Sequence, residues 1–475
     1  MSELFFSQKD QAILKEKLFG LLEKKGVRLN HPVILEALAS SGARVDRNTS
    51  IVRLPLQVTE NLIAAAPKTL SLKATDPEHT LQIPHLNNSF YVRTGTGATS
   101  YLDPVSRAYR PIRLEDLAPW ARLVGELAHL DFCAFPTPLD IPEKHADIYA
   151  LQEFLNYSPK HIFVQPYSSS SIYYLIKMAE IAAEGTGDLN KVPPISLITC
   201  ALSPLDFKFM DLEVIVQACQ KKIPLHACSL PGAGGTAPLT LPGTILLAAA
   251  ETLTLLIAAQ ALNPGTPVIA TPLIFSMDMQ SGHSRQASVE AIKGAAVTAN
   301  FIKAAFNVPV HTYGFGTDST ETDGQSQGER SMLALMAAAA GSDIIGGAGQ
   351  VETASAQCPL QLIIDNDLAA MAKQLSSGLS VDEDTLAWNE LLQVEPGGHF
   401  LDQEHTFRHC RSALSPLTFT HRSRKALLEK RKANYLTKAK EIYEKIASKE
   451  LKPVLSKEQS RDLNSLVKEA SDAIR

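Results

Sequence analysis

Two hydrophobic rhythms alternate along this chain. From residue 90 onward, short runs rich in β-branched and aromatic residues recur between longer stretches whose apolar residues fall at helical spacing. The short runs are FYVRTG (90–95), DFCAFP (131–136), HIFVQP (161–166), ISLITC (195–200), PLHACS (224–229), PVIATP (267–272), PVHTYG (309–314) and DIIGGA (343–348). The long ones lie near 114–130, 142–155, 170–184, 206–221, 242–262, 288–306, 325–340 and 360–374. Eight strands, each followed by a helix, is the count that closes a parallel barrel, so the expected fold is an α/β TIM (β/α)8 barrel. A doubly wound open sheet would carry a full GxGxxG after its first strand. Here Gly95-Thr96-Gly97 runs into Ala98-Thr99-Ser100 instead.

The flanks read differently. Residues 9–25 and 32–41 have helical spacing and 42–56 reads as an extended crossover, giving an N-terminal helical preface (1–88) packed on a barrel of 89–378. A C-terminal helical extension follows over 379–475, with one helix at 381–394 and a charged tail over 425–475. That tail alternates Lys/Arg with Glu, the pattern of a solvated or subunit-contacting face, and a homo-oligomer is expected. The apolar run 245–262 reaches membrane-spanning length, but alanine dominates it and Glu251 interrupts it, so it reads as a buried helix. The first residues are charged and lack a signal-peptide pattern.

Composition narrows the function. A net charge of -5 with no basic cluster counts against a nucleic-acid binder, and no membrane role is expected. Six cysteines without a CxxC read as reduced thiols of a cytoplasmic protein. His226 and Cys228, two apart on a strand, face one side and offer only part of a zinc site. No protein-bound metal is expected.

In a β/α barrel the loops leaving the strand C-termini build the site. Those loops here are long, and they carry Asp278, Asp318, Glu321, Asp323 and Glu352. Aromatics lie at or near them: Tyr91, Tyr101, Phe135, Tyr167, Phe275, Tyr313 and Phe315. Carboxylates with aromatic faces are the combination that holds an organic cation. Gly346-Gly347-Ala348-Gly349 offers exposed amides where many barrels bind phosphate. Glu352 just beyond would repel a dianion, so a singly charged carboxylate or tight packing fits better. There is no GxSxG and no HExxH.

Several motifs together resemble the trimethylamine methyltransferase superfamily. They are TGTGATSYLD (94–103), RPIRLEDL (110–117), CALSPLDF (200–207), PGAGGTAPLTLPG (231–243), TDSTETDGQSQGE (317–329), LIIDNDLAAM (362–371) and PGGHFLDQEHTFRH (396–409), in that order. The resemblance implies methyl transfer from an amine to the cobalt of a corrinoid (cobalamin) carried by a separate partner protein. Trimethylamine-using members look to carry pyrrolysine in the barrel, and this chain has only standard residues. It also reads Thr320 and Thr322 where the family often has lysine and proline. The chain therefore resembles the nonpyrrolysine branch that uses glycine betaine. From the family's acidic loop, Asp318, Asp323 and Gln325 carry over as catalytic candidates. The expected cage for a trimethylammonium is Tyr91, Tyr101, Phe275 and Phe315. The expected carboxylate contacts are Arg93 and the amides of Gly347 and Ala348. Another betaine, such as proline betaine or carnitine, and a noncatalytic quaternary-amine binding barrel are the alternatives.

Overall fold

The computed structural model describes residues 5–184, 192–411 and 435–474. All eight short runs are strands: β1 Tyr91–Thr94, β2 Cys133–Ala134, β3 Ile162–Val164, β4 Ile195–Cys200, β5 Leu225–Ser229, β6 Val268–Pro272, β7 His311–Tyr313 and β8 Ile344–Ala348. Parallel ladders join β2 through β6, and join β7 to β8 to β1. Two isolated parallel bridges, Arg93 with Phe132 and Ala270 with Val310, connect these arcs and complete the ring. The fold is the expected TIM barrel.

Helices follow every strand: α1 Leu117–Glu126, α2 Glu143–Tyr157, α3 Ile172–Ala183, α4 Phe209–Lys221, α5 Leu241–Leu262, α6 Val289–Phe306, α7 Gly324–Ala339 and α8 Pro359–Ser376. Strand alternation separates two cores. Side chains such as Val92, Leu197, Ala227 and Val310 face the helices, whereas Tyr91, Phe132, Phe163, Ile198, Cys228, Ile269 and Tyr313 fill the barrel. Helix α5 is apolar on all sides for a physical reason. It lies between the strands and the preface helices Gln8–Lys24, Pro32–Ser40 and Leu56–Ala65, so no face meets water. Its Glu251 is fully buried, and its carboxylate accepts from Ser203 Oγ, Ser229 Oγ and the Leu205 amide at 2.6–2.8 Å. The long apolar run is thus a core helix, as its sequence suggested.

The flanks depart from expectation. The preface is not only helical. Val27–Leu29, Arg44–Asp46 and Ile51–Arg53 pair with Asp206–Phe207 in a small sheet, so the stretch read as a crossover is a hairpin. A second hairpin, Leu70–Leu72 with Leu81–Ile83, places four apolar side chains in the barrel-interior cluster and plugs its floor. Only Trp388–Gln393 is helical within the helix expected over 381–394. In the tail, Tyr435–Ala447 packs on α8 and α1, and Lys457–Ala473 packs on α2 and α3. The start of the tail helix expected at 425 lies outside the described residues.

Candidate active site at the barrel mouth

The barrel interior becomes polar above its floor. Arg93 lies two residues beyond Tyr91 on β1, on the same face and about 7 Å nearer the mouth. It is 1% exposed, and its guanidinium lies over the ring of Phe163 at 4.2 Å and that of Tyr313 at 5.2 Å. Its Nε–H donates to His311 Nε2 at 3.0 Å and its Nη1 to the Thr94 carbonyl at 2.7 Å. No carboxylate pairs with it among the described residues. Beside it runs a chain of neutral groups: His226 Nε2 to Ser196 Oγ at 3.1 Å, Ser196 Oγ to His161 Nε2 at 2.9 Å, and His161 Nδ1 to the Lys73 carbonyl. Burial pushes His161 down to about 4. His226 and His311 lie well below the usual imidazole range, through burial first and then the nearby Arg93 charge. Among the described residues, Arg93 is therefore a buried cation without a counter-ion, set among neutral groups.

Above Arg93 the walls are aromatic and thiol. Tyr313 belongs to the interior cluster and half-buried Phe275 packs against it from the loop after β6. Cys200 and Cys228 are in register on β4 and β5. Their mutual hydrogen bond, together with burial, raises the Cys200 thiol well above its usual range, so it stays protonated. Cys200 is therefore not a poised nucleophile. Gly347, at φ +100°, approaches the Tyr313 ring so closely that an added Cβ would lie 2.8 Å from it.

The rim carboxylates are committed to structure. Asp318 accepts from the amides of Gln286 and Ala287 at 2.8 and 3.1 Å and from Thr353 Oγ1 at 2.9 Å, tying together the loops after β6, β7 and β8. Asp323 caps α7, accepting from the Ser326 amide at 2.8 Å. Gln325 is exposed on the first turn of that helix and donates to Glu329 at 2.8 Å. Asp278 pairs with Arg285 and Glu321 with Arg107. Behind these loops Arg330 and Asp365 form a fully buried pair at 2.7 Å; Arg330 also bonds the carbonyls of Phe315 and Gln350, and Asp365 accepts the Gly349 amide at 2.7 Å.

Several expected contacts are thereby corrected. Tyr91 stands at the floor, its hydroxyl donating to the Gln82 carbonyl at 3.0 Å and its ring against His85, because it opens its strand. Tyr101 is buried in the outer core and already faces the Arg110 guanidinium at 4.4 Å. Phe315 lies two residues beyond Tyr313, but the strand ends at Tyr313 and the chain turns, so Phe315 is fully buried among the helix-facing side chains instead. Ala348 likewise faces the outer core, where β8 shifts register between Ile345 and Ala348. Of the expected binding residues, Arg93 and Gly347 both lie against Tyr313, and Phe275 packs on the cluster that holds it. The reading of the sequence missed His311 and Phe163 as Arg93's partners. A histidine or arginine inside an otherwise apolar strand was the available signal.

Comparison with known proteins agrees with this architecture. The chain is 28% identical over 410 residues to a trimethylamine methyltransferase of Desulfitobacterium hafniense, covering 86% of this chain and 82% of that one. It is 27% identical over 461 residues to a glycine betaine methyltransferase of the same species, covering 96% and 94%. The crystal structure of the Methanosarcina barkeri monomethylamine methyltransferase shares the fold, with a TM-score of 0.52, 12% identity and coverage of 98% and 92%. A family model described as trimethylamine methyltransferase (MTTB) matches residues 3–474. The chain belongs to the trimethylamine methyltransferase family and is an amine methyltransferase.

Proposed function

We propose that this enzyme transfers a methyl group from glycine betaine to the Co(I) of a corrinoid carried by a separate protein, releasing dimethylglycine. Overall identity does not choose between the two relatives, at 28% and 27%. The observation that carries the choice is Arg93. A buried charge without a partner is expensive, and it persists where a ligand brings the counter-ion. Trimethylamine has no group to offer it; the carboxylate of a betaine does. The trimethylammonium end then points toward the mouth, against Tyr313 and Phe275, where the methyl acceptor approaches.

The chemistry needs little else. A quaternary nitrogen leaves as a neutral tertiary amine. The C–N electron pair stays on nitrogen, the acceptor's own pair forms the new bond to carbon, and no proton is transferred. Neutral imidazoles and the protonated Cys200 thiol suit that requirement, because no general acid is called for. What the protein supplies is orientation and exclusion of water.

A panel of donors, assayed by conversion of Co(I) cobalamin to methylcobalamin, tests this. Glycine betaine should react, and proline betaine and carnitine measure how much longer a donor the chamber accepts. Methyl transfer from trimethylamine with none from any betaine would overturn the proposal.

A further inference from the structure

The motif at 396–409 takes no part in the barrel-mouth contacts described above, and the fold gives it a partner that the sequence does not show. Residues 379–411 form an arm that leaves the barrel after α8, and none of its 33 residues is buried within the single chain. A segment without a buried apolar core needs another source of order, and a bound metal ion is one that small folds use. His405 and His409 stand four apart on the short helix Glu404–His409, which puts both imidazoles on one face, their ring centroids 4.3 Å apart. Asp384 faces them from the turn before Trp388–Gln393, 21 residues upstream of His405. Its Oδ2 meets His409 Nε2 at 3.0 Å, and its carbonyl oxygen accepts from His405 Nε2 at 2.8 Å. One ligand atom from each of the three residues lies within 4.8 Å of the other two.

The geometry points to a Zn2+ site formed by Asp384, His405 and His409 that holds the arm in shape. Two imidazoles and a carboxylate are ligands that zinc takes, whereas Ca2+ and Mg2+ favour oxygen alone. With metal–ligand bonds of about 2.0–2.1 Å, two ligands of a tetrahedral ion stand roughly 3.3 Å apart. The 3.0 Å contact of Asp384 with His409 is close to that, so an ion can replace the proton between them with little movement. Arg408 Nη1 holds Asp384 Oδ1 at 3.1 Å, which leaves Oδ2 as the ligand oxygen and fixes its direction. The Arg408 charge opposes that of the ion, but its side chain is 51% exposed and water screens it. All three ligands are partly exposed, so water completes the coordination. In HTFRH (405–409) Thr406 stands where HExxH has its general-base glutamate, so the site suits structure rather than hydrolysis. The expectation of no protein-bound metal rested on the spacing of cysteines and histidines along the chain, and no spacing rule joins Asp384 to this pair.

The test takes the full-length chain without an affinity tag, strips it with a chelator and reloads it with Zn2+ alone. Metal content after gel filtration is read by plasma mass spectrometry. The unaltered chain should retain Zn2+ equimolar with protein. A variant combining His405→Ala and His409→Ala should retain less than a tenth of that. His399→Gln, which changes an exposed histidine of the same arm outside the group, should retain all of it. None of these residues is buried, so the barrel should stay folded, which far-ultraviolet circular dichroism checks. Zn2+ should also slow amide hydrogen exchange over 388–393 and 404–409 at least tenfold in the unaltered chain. An unaltered chain that holds no Zn2+, a double variant that holds as much, or exchange in the arm that Zn2+ leaves unchanged overturns the proposal.

Discussion

Arg93 on β1 reaches His311 on β7 at 3.0 Å, across the intervening strand β8. The two meet because Gly346 stands between them. A Cβ there would lie 2.8 Å from His311 Nε2 and 3.0 Å from the Arg93 guanidinium. Gly346→Ala should displace both groups while leaving the barrel folded. The expected result is at least a tenfold fall in kcat/KM for glycine betaine with an unchanged circular dichroism spectrum. Unaltered kinetics would show that the Arg93–His311 contact is dispensable.

The buried histidines make stability depend on pH. His161 titrates near 4 in the folded chain, and His226 and His311 are lowered too, against about 6.5 when unfolded. Between those values the unfolded chain binds more protons, so stability is fully present above 6.5 and is lost as pH falls toward 4. Each histidine contributes a slope of up to about 1.4 kcal/mol per pH unit. Melting temperature should drop steeply from pH 6.5 to 5, and His161→Gln should flatten that slope. A flat profile in the unaltered protein contradicts neutral burial.

The barrel was legible because strand and helix rhythms differ in period, and eight repeats of the pair leave few alternatives. Short elements were not: the floor hairpin at Leu70–Ile83 is too brief to show a period, and the hairpin over 42–56 looked merely extended. The cage was the least legible part. Tyr91, Tyr101 and Phe315 are aromatic residues near strand ends, but sequence does not say which side of a turning strand end a residue takes. Arg93 was legible as a candidate; that none of the described carboxylates pairs with it became visible only once the fold placed its neighbours.

Asp318 holds three loops by three hydrogen bonds. Asp318→Asn puts an amide N–H2 against backbone donors, and leaving one such group unsatisfied costs about 1–3 kcal/mol. Melting temperature should fall by a few degrees, with methyl transfer reduced as the rim loosens. A variant with unchanged melting and unchanged rate would mark the bridge as unimportant.

The corrected cage gives a contrast. Phe275→Ala and Tyr313→Ala should each weaken glycine betaine binding by roughly threefold to thirtyfold, the range of one cation–π contact. Tyr101→Ala should lower stability and leave binding unchanged, because that ring faces Arg110. Calorimetric titration of the three variants measures this. Loss of binding in the Tyr101 variant alone would return the cage to the outer residues.

Removing the Arg93 charge tests the account most directly. Arg93→Met should raise the melting temperature, because an unpaired buried cation no longer has to be desolvated. The same change removes the group that reads the carboxylate, and a charge-assisted hydrogen bond is worth about 1.5–3 kcal/mol. In the unaltered enzyme, glycine betaine should methylate Co(I) cobalamin at least tenfold faster than choline, which keeps the cation and lacks the carboxylate. In Arg93→Met that preference should vanish. Choline reacting as fast as glycine betaine in the unaltered enzyme, or a preference that survives in Arg93→Met, would contradict a chamber built around Arg93 and a carboxylate.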